Sequence, residues 1–236
     1  MVEIKIPKKI TPDPIIDSVI ELRFQTIFKK EEIISRFYNR LNSDFPFFRE
    51  QQQQILIGTF KPEYLTKISI QNKDFTVSFG SNVVVFGNAG GYKGWSLFSK
   101  MIYQYTEVLV KEGLIGKIDR IGIRYVNFFK DVLLLSSNTN LKINFGNKQD
   151  YSENKNTQIR TELSKGKFGF NLVMADNVAH NSSLGSILDI DAYVDKIEAP
   201  FSEKIIQLIE EAHVEEKQLF YGLLKPEFIE KFKPEY

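Results

Sequence analysis

The sequence predicts an α+β fold, a mainly antiparallel sheet with three main helices packed against it. Three observations carry this. Several short runs alternate apolar and polar residues with the period of a strand, and three longer stretches space their apolar residues three and four apart, the period of a helix. The chain also holds 20 Phe and 10 Tyr against one Trp and three Met, and rings favour pleated, half-buried surfaces as well as core filling.

Its 236 residues make one large domain or two small, closely packed ones, at roughly 100–200 residues each. With 42% hydrophobic and 26% charged residues, the composition is that of soluble globular chains, which excludes wholesale disorder and a fibrous class. Thirty-one Lys and Arg against 30 Asp and Glu leave a net charge of +1. No global field then draws the protein onto nucleic acid or anionic lipid, and any such surface is local. The absence of cysteine removes disulfides, thiolate nucleophiles, iron–sulfur clusters and sulfur-ligated zinc. The first residues, Met1 to Lys9, lack the apolar core and small-residue cleavage pattern of a signal peptide. No window approaches the ~18 apolar residues of a membrane helix. A cytoplasmic protein without a membrane partner is the expectation.

In chain order, Pro12 and Pro14 end a polar leader. Ile16, Ile20, Leu22 and Phe24 then share one parity while Asp17, Glu21 and Arg23 take the other, which predicts a strand. Ile33, Ile34, Phe37, Tyr38 and Leu41 recur at helical spacing and predict an amphipathic helix of about four turns. The Gln51–Gln54 run reads as the polar edge of a strand. Strands are predicted at 67–70, 75–79 and 82–86, the last two joined by turn chemistry at Gly80-Ser81-Asn82. A glycine-dense loop, 87–94, leads into Trp95 and a helix with Leu97, Phe98, Met101, Ile102, Tyr105 and Leu109 on one face, stopped by Gly113 and Gly116. Residues 118–129 alternate again. Together these spell β-α-β-β-(β)-α-β, the split βαβ or ferredoxin-like order with an extra strand.

Residues 131–156, rich in Asn, Ser and Lys, read as a linker around one strand at 141–145. Strands follow at 158–163, 168–175 and 186–194, with a tight turn at 165–167 and a longer loop over 176–185. Pro200 is expected to open a long helix whose stripe runs Ile205, Ile209, Ala212, Leu219, Phe220 and Leu223, with Pro226 ending it. Residues 1–135 thus form a split-βαβ half and 136–236 a βββα half, packed as one compact unit.

The most informative segment for chemistry is 186–194. Leu188, Ile190, Ala192 and Val194 make an apolar face, so Asp189 and Asp191 share the opposite one, about 7 Å apart at strand rise. Such a pair can ligate a divalent metal or divide acid and base roles. The plainer alternative is pairing with Arg or Lys of a neighbouring strand, and a lone carboxylate pair favours it. Arg120 and Arg124 flank Gly122, with Asn127 close behind. Two guanidinium forks about 13 Å apart can clamp a phosphate-bearing ligand, or each pairs with a strand carboxylate, the simpler reading.

His180 reads as a solvated loop residue, and His213 as a core-edge histidine on the last helix. A metal would have only Asp189, Asp191 and Glu162 for company, with no HxxxH. The loop around Gly91, Gly94 and Trp95 enters a helix as phosphate cradles do, but has neither GxGxxG nor a Walker lysine, so a tight strand-to-helix turn explains it as well. No GxSxG or kinase set is present. The aromatic runs 45–48 and 128–129 do not match an RNP pattern, and are packing before they are base-stacking platforms. No catalytic residue, metal or cofactor is assigned. Arg120, Arg124, Asp189, Asp191 and His213 are expected to converge in one polar cluster, because the helix carrying His213 directly follows the Asp strand.

Val19-Ile20-Glu21-Leu22-Arg23-Phe24 after Pro14, then Tyr92-Lys93-Gly94-Trp95, the run Arg120 to Asn127, Leu188-Asp189-Ile190-Asp191, and His213 followed by Phe220 resemble the ordered landmarks of one family. It is a sporadically distributed, uncharacterised prokaryotic family of about 250-residue proteins, matched here nearly end to end. Two positions depart from its pattern: Ile15 and Lys93 stand where the family has proline. The resemblance carries over no activity, and implies an accessory component of a defence or toxin–antitoxin-like cassette. The expected function is therefore that of a non-catalytic protein acting on a protein partner, in a hetero-complex or a homo-oligomer. A metal-dependent hydrolase or nuclease using Asp189, Asp191 and His213 is the rival, and an RNA-binding module, not favoured, the third.

Overall fold

In the computed structural model, which describes residues 6–48, 68–141 and 156–236, the expected α+β class is realised. Nine strands among the described residues form one antiparallel sheet in the order β2-β3-β4-β5-β1-β6-β9-β8-β7. They are β1 (Ile15–Phe24), β2 (Phe47–Phe48), β3 (Ile68–Gln71), β4 (Phe75–Phe79), β5 (Val83–Asn88), β6 (Lys117–Lys130), β7 (Gln158–Lys165), β8 (Phe168–His180) and β9 (Ser183–Pro200). The helices are α1 (Lys30–Leu41), α2 (Trp95–Lys111), α3 (Glu203–Leu223) and the short α4 (Pro226–Ile229). None of the described helices is long and apolar enough to cross a membrane.

The chain divides into two compact units built from interleaved stretches, where the sequence reading divides it after residue 135. One comprises residues 17–123 and 193–210, the other 1–16, 124–192 and 211–236. In the first, α1 follows β1, the hairpin β4–β5 comes next, and α2 leads into β6. The order β4-β5-β1-β6 is that of the split βαβ, with β3 as the added strand. Ile20 lies opposite Phe86 and Leu22 opposite Val84. All four side chains are buried, joined in the core by Phe24, Ile33, Phe37 and Phe79. Phe37 packs edge-on against Phe24, with ring centroids 5.9 Å apart.

In the second unit β7, β8 and β9 precede the C-terminal part of α3. The alternation read from the sequence decides the faces: Leu188, Ile190 and Ala192 are fully buried, while Asp189 and Asp191 lie on the half-buried alternate face. Phe129 gathers Phe220, Phe228 and Phe232 into an aromatic core, at centroid distances of 6.4, 5.4 and 5.5 Å. Gly185 is required by close approach, since a Cβ there would stand 2.3 Å from the Phe129 carbonyl oxygen.

Four local expectations are corrected. The loop over 176–185 is a two-residue turn between β8 and β9. Asn181 and Ser182 adopt φ of 46° and 61°, the left-handed pair that a primed hairpin turn needs and that Asn tolerates. Pro200 does not open the last helix. It ends β9, since proline holds its predecessor extended, and the Ser202 carbonyl accepts the first helical N–H groups, those of Ile205 and Ile206. The linker is anchored at its start: Leu134–Asn138 is a π-helical turn with Leu134 and Leu135 buried. Helix α1 has 12 residues, about three turns rather than four. The Gln51–Gln54 edge and the strand expected at 141–145, beyond Leu141, lie outside the described residues.

Candidate functional site

Within the unit that contains β7, the alternate face of the sheet carries the candidate pair. Arg124 donates from Nε and Nη2 to the two oxygens of Asp189, at 2.8 and 2.6 Å. This fork-to-fork geometry fixes both side chains; the Asp189 side chain is only 13% exposed. On the neighbouring strand, Asn171 donates its amide to Asp191 at 3.0 Å. Glu162 lies opposite Asn171 in the β7–β8 register, and is exposed.

His213 and Asn127 belong to the other face. Arg124 and Tyr125 are consecutive on β6 and so point to opposite sides of the sheet. The Tyr125 hydroxyl lies 3.2 Å from His213 Nδ1, with both residues buried. Burial, helped by Lys217, pushes the imidazole down to about 3, so it is neutral at ordinary pH. Asn127 is buried and donates to the Leu188 carbonyl at 3.2 Å.

One turn of α3 beyond His213, Glu216 is 3% exposed. Its Oε1 is buried with no hydrogen-bond partner among the described residues. Burial pushes this carboxyl up to about 8, opposed by Lys217, whose own ammonium is pushed down by burial and donates to the Pro7 carbonyl. Asp176, placed by the sequence reading in a loop, is buried in β8. It accepts from the Leu134 N–H at 2.9 Å and from the Ser186 hydroxyl at 2.6 Å, which holds the π-helical turn to the sheet. His180, the expected loop residue, ends β8 half-buried with its ring 5.1 Å from that of Phe128.

In the other unit, Arg120 donates to Asp195 at 2.8 Å, stands 3.6 Å from Glu21, and lies with its guanidinium 4.0 Å over the Tyr193 ring. Glu21 also accepts from Arg23 at 2.6 Å. Arg120 and Arg124 thus each have a strand carboxylate, but different ones in different units. The glycine loop serves as a strand-to-helix turn: Gly94, at φ 99°, precedes α2, and its carbonyl accepts the Phe98 N–H. Gly91 also has a positive φ, 84°, and Lys93 pairs with Asp74. Trp95 then donates from Nε1 to Glu210 Oε2, and the Tyr103 hydroxyl donates to Glu210 Oε1, both at 2.7 Å.

Sequence reasoning missed Asp195, Tyr193, Glu210 and Glu216. Glu216 was findable, as a carboxyl four residues after Ala212 and four before Phe220, inside the apolar stripe. The landmark segments prove to be one another's partners: Tyr125 meets His213, Asn127 meets Leu188, and Arg124 meets Asp189. Among the described residues no group of three or more His, Cys, Asp or Glu is arranged to hold a metal ion. No protein-family model matches the chain, and no curated protein matches it.

Proposed function

We propose that the protein is a non-catalytic binding protein of the sporadically distributed prokaryotic family its landmarks resemble. It acts in the cytoplasm on a protein partner, as an accessory component of a defence or toxin–antitoxin-like cassette. The face it offers is the half-buried one carrying Arg124, Asp189 and Asn171. One observation carries this reading over the hydrolase. The hydrolase needs Asp189, Asp191 and His213 around one ion, yet Asp189 is engaged by Arg124 on one side of the sheet and His213 by Tyr125 on the other. A paired, side-chain-fixed charge pattern recognises a partner by complementarity rather than by chemistry.

Calorimetric titration with Mg²⁺ and Mn²⁺ separates the two: the proposal expects no saturable heat, and tight binding abolished by Asp189→Asn overturns it. Co-expression with the product of the adjacent gene tests the partner directly. The wild type is expected to co-elute with it. The exchange Arg124→Asp with Asp189→Arg keeps the ion pair and the melting temperature but loses the complex. An RNA-binding module would instead show affinity falling steeply with salt.

A further inference from the structure

Residues 7–14 and 232–236 belong to one unit and are joined there as a short antiparallel clasp. Lys9 bridges Glu235: the Lys8 N–H donates to the Glu235 carbonyl at 2.7 Å, and the Glu235 N–H to the Lys9 carbonyl at 2.9 Å. The Thr11 N–H donates to the Phe232 carbonyl at 2.6 Å. Among the described residues, four features tie this clasp to the rest of its unit. Ile10 is 6% exposed. The Phe232 ring stands 5.5 Å from that of Phe129. The Pro14 carbonyl accepts the Phe128 N–H, and Lys217 of α3 donates from Nζ to the Pro7 carbonyl at 3.1 Å. That last bond ends on the residue next to Glu216, whose buried Oε1 has no partner among the described residues.

A neutral carboxyl competes weakly for a neighbouring ammonium, so the Pro7 carbonyl keeps Lys217. A carboxylate competes strongly, because it adds ion pairing to the hydrogen bond and is costly to bury without a partner. We propose that the clasp is a pH-gated strap: it stays shut while Glu216 is protonated, and opens ahead of the rest of its unit when Glu216 ionises and draws the Lys217 ammonium away from the Pro7 carbonyl. The surrounding groups agree with that direction. On α3, His213 is neutral and meets the Tyr125 hydroxyl of β6, and burial, with Asp13, Glu216 and Tyr236, keeps Tyr221 a neutral phenol. In the clasp, burial raises Asp13 against the Ile15 N–H and Lys9, and burial and Glu230 raise the Tyr236 phenol. Of these groups Lys217 is the cation acting on Glu216, so the ionised carboxylate has that ammonium to turn to. Burial holds the Glu216 carboxyl up to about 8, which sets the gate in mild alkali. Opening lifts Phe232 from Phe129 and uncovers part of the aromatic core.

The chain has no cysteine, so one introduced thiol reports the opening of one region. Ile10→Cys lies in the strap, and Leu172→Cys, 3% exposed in β8, lies outside it. Each is made in the full chain with Glu216 and with Glu216→Gln, and its reaction with dithiobis(nitrobenzoate) is followed across the pH range. Comparing the two backgrounds at the same pH cancels the reagent's own pH dependence. For Ile10→Cys the ratio of rates, glutamate over glutamine, is expected to rise about tenfold per pH unit from 5 to 8 and to level off above that. In the glutamate background near pH 8 the strap thiol is expected to react about a hundredfold faster than Leu172→Cys, as local opening requires. Amide hydrogen exchange of the cysteine-free protein, with and without Glu216→Gln, repeats the comparison over residues 8–11 without altering the strap. Equal rates at the two thiols would make the opening global, and a ratio flat with pH in both measurements would take Glu216 out of the gate. Either result overturns the inference.

Discussion

Helix α3 carries two glutamates less than two turns apart, one in each unit. Glu210 has a donor on each oxygen, Trp95 Nε1 and the Tyr103 hydroxyl, both at 2.7 Å. Glu216 is 3% exposed and has one oxygen with no partner among the described residues. Its carboxyl is pushed up to about 8 by burial alone, against the pull of Lys217. The two differ in both depth and donors: half-buried Glu210 is met by a donor on each oxygen, whereas buried Glu216 leaves one oxygen without a partner among the described residues, so its burial goes uncompensated. The contrast also separates two kinds of polar position here: those matched by partners, and one whose carboxyl burial pushes up to about 8.

The largest effect expected to sharpen this contrast is at Glu216. Its folded value is raised above the ordinary 4.5, so its contribution to stability is fully present below pH 4.5 and is lost as pH rises through about 8. His213 runs the other way. Its value is lowered from 6.5 to about 3, so its contribution is present above 6.5 and lost as pH falls through about 3. Comparing Glu216→Gln with the wild type isolates the glutamate. The two are expected to melt alike near pH 4. The variant then gains steadily, by on the order of 4 kcal/mol near pH 8, or roughly 10 °C for a chain of this size. Thermal melts monitored by circular dichroism across that range check it, and a difference that does not change with pH would break the contrast.

Glu210→Ala comes next. It leaves the Trp95 and Tyr103 donors without their acceptor, at about 1–3 kcal/mol each. Because the site is half-buried and water can replace part of what is lost, a net destabilisation of about 2–4 kcal/mol is expected. Glu210→Gln keeps one acceptor and should cost about half as much. Denaturant melts of the three proteins measure this directly, and an alanine variant as stable as the wild type would show that the two bonds contribute nothing net.

How much of this was legible depended on how local each signal is. The faces of β1, β6 and β9 follow from alternation, and Leu188 and Ile190 are fully buried as that pattern requires. The pairing of partners is not local. That Arg124 pairs with a strand carboxylate is legible as the simpler reading, but that Arg120 takes Asp195, or that Glu210 receives donors from α2, is not, because each depends on strand order and on how far α3 has turned. Of the expected polar cluster, Arg124 does meet Asp189, while Arg120 takes Asp195 and His213 does not join, for the same reason. His213 follows the Asp strand closely in the chain, but the helix bearing it covers the face that Leu188 and Ile190 occupy, so it meets Tyr125 rather than the aspartates. The two-residue turn at Asn181 and Ser182 was hidden because polar residues extend on both sides of it and mimic a loop.

The smallest effect concerns the position between the two extremes. His213 is buried like Glu216 but has a partner like Glu210, the Tyr125 hydroxyl at 3.2 Å. The rings also pack, with centroids 5.8 Å apart. Tyr125→Phe keeps that packing and removes only the hydroxyl, so the change reports the hydrogen bond against a constant background. If matching is what makes a buried polar group tolerable, losing this bond costs about 1 kcal/mol, and the melting temperature falls by roughly 2–4 °C. The imidazole should stay neutral in both proteins down to about pH 4, since burial rather than the hydroxyl is the main cause of its lowered value. Histidine ring resonances followed by NMR during an acid titration read this out. A His213 that titrates near 6 in the phenylalanine variant would mean that the hydroxyl, not burial, keeps it neutral, and would move His213 out of the class of Glu216 into that of Glu210.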